Sequence, residues 1–68
     1  MKITFDKEAD AAYIYLTEIA KGEVARTVSL NESVYIDLDK KGRMLGIDIL
    51  SASRNLPASA IRSAVIIG

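Results

Sequence analysis

The sequence predicts an α+β fold: a four- to five-stranded antiparallel β-meander, largely in chain order, with a short C-terminal helical segment packed on one face. Three observations predict it. Short runs of alternating apolar and polar residues recur along the chain and are separated by turn residues. Asp39-Lys40-Lys41-Gly42 is a strong hairpin signal between two such runs. After Leu50 the apolar period changes from that of a strand to that of a helix. Sixty-eight residues with no linker or low-complexity stretch make one domain, 1–68.

Each element has its own justification. Residues 2–5 alternate, with Ile3 and Phe5 on one face. Asp6 to Asp10 then break the run, and Asp6 is placed to cap a helical turn. In residues 12–17, Ala12, Ile14 and Leu16 share one face and Tyr13, Tyr15 and Thr17 the other. Apolar area on both faces marks an interior strand. Lys21-Gly22 is a turn. Residues 23–30 follow as a strand with Val24, Arg26, Val28 and Leu30 on one side, where Arg26 either reaches an edge or meets a carboxylate. Asn31-Glu32-Ser33 turns the chain again. Residues 34–39 alternate most cleanly, with Val34, Ile36 and Leu38 inward and Tyr35, Asp37 and Asp39 outward. The hairpin returns through residues 43–50, with Leu45, Ile47 and Ile49 in phase and Gly46 and Asp48 opposite. Ser51 is placed to cap a helical turn in which Ala52 and Leu56 face the sheet. Pro57 stops that turn or opens another. The end fits two periods equally: Ala58, Ile61, Ala64 and Val65 suit a helix, and Ile61, Ser63, Val65 and Ile67 suit a strand, which would be able to add to another subunit's sheet edge.

Composition removes several chemistries. There is no Cys and no His, hence no thiol nucleophile, no histidine base and no usual zinc site. Nine basic residues balance nine acidic ones, which argues against a nucleic-acid partner. The longest apolar run, Ala64 to Ile67, is too short to span a bilayer, and no apolar stretch follows Met1-Lys2, so no membrane association and a cytoplasmic address are expected. Apolar burial contributes on the order of 100 kcal/mol to a chain of this size. Ordering it costs about the same at about 1.5 kcal/mol per residue. Half the residues are hydrophobic, so a partner surface is the natural use of the surplus, and a homodimer is expected.

Certain pieces, in their order, resemble a known pattern. Ile3-Thr4-Phe5-Asp6 and Glu8-Ala9-Asp10-Ala11-Ala12-Tyr13-Ile14 form the first part. The second runs Val34-Tyr35-Ile36-Asp37-Leu38-Asp39, Lys41-Gly42-Arg43 and Leu45-Gly46-Ile47-Asp48-Ile49-Leu50, followed by Ala52-Ser53 and Leu56. Together they resemble the domain-of-unknown-function family 2283 (DUF2283). The likeness covers residues 1 to about 56 and leaves 57–68 as a tail, helix or swapped strand. The resemblance implies a small bacterial or archaeal protein with an antiparallel sheet, a short helix and no established catalytic activity. Some members are similar to antitoxin partners encoded beside small toxin-like proteins, which implies a small basic protein as a possible partner.

Few candidate sites stand out. Asp6, Glu8 and Asp10 alternate like the start of a calcium loop, but the loop glycine is missing and the twelfth position is Thr17; a charged turn explains them. Asp37, Asp39 and Asp48 are candidates to gather on one sheet face and hold a divalent ion, against the plainer reading of a solvated face or of pairing with Arg26 or Arg43. Lys40, Lys41 and Arg43 make a basic hairpin tip. Tyr13, Tyr15 and Tyr35 lie opposite Ile14 and Ile36, and an aromatic patch without basic flanks suits a protein interface better than base stacking. Val65, Ile66 and Ile67 are further interface candidates. Gly42 and Gly46 make no phosphate loop, and nothing in the spacing of the serines supports a Ser-Lys pair. The expectation is a non-enzymatic interaction module with no catalytic residue and no cofactor. A small carboxylate-based metal or ligand-binding module is the alternative, and an enzyme ranks last.

Overall fold

The alternating runs do form strands, and they build a larger sheet than their number predicts. A computed structural model describes residues 1–68. The strands are β1 (Lys2–Asp6), β2 (Ala11–Tyr15), β3 (Arg26–Ser29), β4 (Val34–Leu38) and β5 (Met44–Leu50). Two short helices, α1 (Ala52–Asn55) and α2 (Ala58–Arg62), lead to β6 (Val65–Ile67). The result is an α+β fold with one six-stranded mixed sheet, ordered β3-β4-β5-β2-β1-β6.

Three features of the meander need correction. First, β2 and β3 are not neighbours, because β5 lies between β4 and β2. The stretch from Leu16 to Ala25 is too long for a tight hairpin and leaves both edges of β5 to be filled, so Ile47 meets Ile14 on one side and Ile36 on the other. Second, the tail takes both of its periods in succession. Extended Pro57 ends α1 and precedes α2, and the chain then straightens into β6. Third, β6 runs parallel to β1, with Phe5 beside Ile66, so the sheet is not wholly antiparallel. The two helices supply the crossover that a parallel neighbour requires.

Turn chemistry is local at the polar turns. Asp6 Oδ1 accepts from the N–H groups of Glu8 and Ala9, and Asn31 Oδ1 accepts from those of Ser33 and Val34. These are side-chain-braced turns, and Asp6 starts no helix. At the hairpin, Gly42 takes a φ of 80°, the left-handed position the sequence assigns it. Ser51 does not cap α1 through its side chain, for its own backbone is left-handed there. That role falls to Asp10 from the β1–β2 turn, whose carboxylate accepts from the Ser53 N–H at 3.1 Å and the Ser53 hydroxyl at 2.7 Å.

The register sorts the side chains as the alternation requires. Phe5, Ala12, Ile49 and Ala52 form a buried cluster under the helices, with Leu56, Ile61 and Ala64 packed against it from above. Leu38 and Leu45 are buried on the same face, farther along the strands. No large side chain is completely enclosed, so the core is shallow. No helix is long and apolar enough to cross a membrane.

Candidate functional site

The opposite face of the sheet carries the polar groups that the alternation leaves over. Tyr13 on β2 stands beside Asp48 on β5, which stands beside Tyr35 on β4. One step along, Tyr15, Gly46, Asp37 and Thr27 form a second row across β2, β5, β4 and β3. The three tyrosines and two of the three candidate aspartates therefore share one surface.

Gly46 determines how that surface is knitted. It lies within β5, and a Cβ built there would fall 2.2 Å from the Tyr13 hydroxyl oxygen. The missing side chain lets the Tyr13 ring lie across β5 and reach the next strand, the close approach that a glycine inside a strand often marks. The Tyr13 hydroxyl donates to Asp37 Oδ2 at 2.6 Å, and the Thr27 hydroxyl donates to Asp37 Oδ1 at 2.5 Å. A hydrogen-bonded line thus spans four strands. Tyr15 packs edge-on against Tyr13 at 4.7 Å between ring centres, and the Lys2 ammonium sits 4.9 Å from the centre of the Tyr15 ring. The sequence offers one signal for this line, a glycine in an otherwise strand-like run, but local spacing does not show that Tyr13 reaches across it.

Electrostatics follow from the crowding. Burial, with the hydrogen bond to Asp37 second, pushes the Tyr13 hydroxyl far above its ordinary range, so it stays protonated and donates. Burial also raises the Asp48 carboxyl, and the charge of Asp37 adds to the rise. Neither Asp37 nor Asp48 has a cationic partner, because the one salt bridge in the chain joins Arg43 to Asp39.

Asp39 does not join the other two candidates. It closes the hairpin, where Oδ1 accepts from the N–H groups of Lys41 and Arg43 and Oδ2 from Arg43 Nε, each at 2.9 Å. The N–H of Arg43, foremost among these contacts, holds the Asp39 carboxyl below its ordinary value. Arg43 thus pairs within its own turn, and Arg26 sits exposed on the outer strand β3. Asp6 and Asp10 are occupied by the turn and by α1, and no three acidic side chains gather as a metal cluster would need. Lys40, Lys41 and Arg43 form the exposed hairpin tip. Val65, Ile66 and Ile67 line the sheet edge, each about half exposed.

A small α+β protein with one six-stranded sheet, its helices on one face and a tyrosine–aspartate surface on the other, is the class these features define. A family model described as "Protein of unknown function (DUF2283)" matches residues 2–53, and the chain belongs to that family. The match takes in the whole tyrosine–aspartate surface and ends within α1, so α2 and β6 lie outside it. No curated protein and no solved structure matches the chain.

Proposed function

We propose that this protein is a non-enzymatic protein-interaction module whose tyrosine–aspartate surface receives a basic partner, in the manner of an antitoxin that pairs with a small toxin. The observation that carries this reading is the uncompensated charge on an aromatic floor: Asp37 and Asp48 lie among Tyr13, Tyr15 and Tyr35 with no arginine or lysine bonded to either carboxylate. A lysine or arginine from a partner gains a carboxylate and a ring face together, as Lys2 already does with the ring of Tyr15. Tyrosines and a fixed polar network are what recognition surfaces use, since rigid side chains lose little entropy on docking. Neither surface hollow of the chain is lined by Asp37 or Asp48, which leaves these carboxylates on an open sheet suited to a macromolecule.

Co-expression with the product of a neighbouring gene that encodes a small basic protein tests the reading. The two copurify, and growth inhibition by the partner is relieved. The Asp37→Asn/Asp48→Asn double variant weakens the complex, most visibly at low salt. Neither copurification nor rescue would reject the pairing. A carboxylate-based metal or ligand module is the second reading, favoured by the proximity that lets Asp37 raise the Asp48 carboxyl. Titration with calcium, magnesium and manganese, followed by amide shifts, decides it: no localised change at Asp37 and Asp48 at millimolar ion excludes the site.

A further inference from the structure

We infer that the half of the helix-bearing face left open over β3 and β4 is a self-association surface, and that its occupant is a second copy of this chain. The register sets one aliphatic row across five strands: Ile3, Ile14, Ile47, Ile36 and Val28. All point to the side where the core lies, yet none of the five is buried. The cause is the placement of the helices. α1 packs on β2 and β5, above Ala12 and Ile49, and the cover stops there. Beyond it lie Val28 and Ile36, with Val34 at the margin against the cluster and Leu30 just past the end of β3 and 68% exposed.

Area and charge select the occupant. The chain exposes 4761 Å². A compact monomer of its mass exposes roughly 4,200 Å². Removing that excess from each of two copies buries on the order of 1,000 Å², near the lower bound of about 1,200 Å² for a specific pair. A two-fold pair sets each patch against itself, so the patch must be free of like charge. The aliphatic row itself carries no charged residue; Arg26, the cation on that side of β3, stands at the end of the strand away from Leu30, and the chain is neutral overall, so no net repulsion opposes pairing. The tyrosine–aspartate face meets neither need, because stacking it on itself brings Asp37 and Asp48 against their own copies. The β6 edge offers only Val65 to Ile67, too short a strand to supply the area alone. Two helix-bearing faces packed together close both shallow cores as in a sheet sandwich, and leave both tyrosine–aspartate faces outward.

Sedimentation velocity of the full chain from micromolar to millimolar concentration tests this without any other partner. The chain forms a dimer within that range. Leu30→Glu, at a site already exposed in the single chain, weakens the association about tenfold or more while leaving the far-ultraviolet circular dichroism unchanged. Ile67→Lys at the β6 edge leaves the association as it was. In a mixture of differently labelled copies, filtered nuclear Overhauser contacts connect the methyl groups of Val28 and Ile36 to the other chain. A monomer throughout the range overturns the inference. So does a dimer that survives Leu30→Glu and dissociates with Ile67→Lys, which would place the contact on the edge. Neither result bears on the basic partner, whose complex is read by copurification and by the Asp37→Asn/Asp48→Asn variant.

Discussion

The two faces of this sheet hold their side chains by different means. On the helix side, Phe5, Ala12, Ile49 and Ala52 are buried by packing alone, with no polar side chain in the cluster. On the open side, Tyr13, Asp37 and Thr27 are fixed by two short hydrogen bonds that run along the sheet surface. Packing is non-directional and depends on volume, so the helix side tolerates exchange of shape and resists loss of size. Hydrogen bonds are directional, so the open side keeps an ordered pattern of rings and carboxylates at the solvent boundary without a third layer above it. The difference teaches why a chain this short can present a defined polar surface: the surface braces itself, and the limited apolar area is left for the other side.

The largest effect that sharpens this comparison is on the packed side. Ile49→Ala removes a buried side chain from the centre of the cluster and lowers stability by about 2–4 kcal/mol, read from the urea midpoint. A loss under about 1 kcal/mol would mean that the helices adjust freely over the sheet, and the packed face would not be the chain's main source of stability. The next effect belongs to the open side. Gly46→Ala sets a methyl group against the Tyr13 ring and costs about 1–3 kcal/mol. The cost comes from displacing that one ring, so Tyr13→Ala relieves it, and the double variant is less destabilised than the two single changes summed. Strict additivity would show that Gly46 matters for some reason other than the room it gives Tyr13.

Much of this was legible in the sequence, and the exceptions share a cause. The alternation in residues 12–17, 34–39 and 43–50 assigns the sheet's aliphatics, among them Ala12, Ile14, Val34, Ile36, Ile47 and Ile49, to one face, and the faces set by the register agree. The left-handed Gly42 was readable because a tight hairpin constrains its own residues. What escaped was long-range. Local spacing does not record that β5 enters between β2 and β4, because that order depends on the free edges present after the hairpins form. The capping of α1 by Asp10 was hidden for the same reason: its partner Ser53 is distant in sequence, while Ser51 matched the local preference for a capping residue. The candidate acidic site was half legible. Period two placed Asp37 and Asp48 on one face, but it also carried Asp39 along with them, and the pull of a tight turn on a carboxylate took Asp39 away.

Asp39 and Asp48 extend the comparison to pH, with the smallest effects and opposite signs. The Asp48 carboxyl is raised by burial and by Asp37, so the folded chain holds its proton more readily than the unfolded chain does. Ionised Asp48 therefore opposes folding at neutral pH, and that opposition fades as the pH falls through the raised value toward the ordinary one of 3.8. Asp48→Asn accordingly raises the urea midpoint near neutrality, and its advantage shrinks in acid. For Asp39 the sign reverses. The N–H of Arg43 leads the contacts that lower its carboxyl, so the stabilisation is present above the ordinary value and is lost as the pH falls through the depressed one. Asp39→Asn lowers the midpoint near neutrality, and the deficit closes in acid. Midpoints measured for both variants between about pH 7 and pH 3 converge on the parent from opposite sides. If both deviate in the same direction, the turn and the sheet face treat negative charge alike, and the open face would no longer be the part of the chain that lacks a cation.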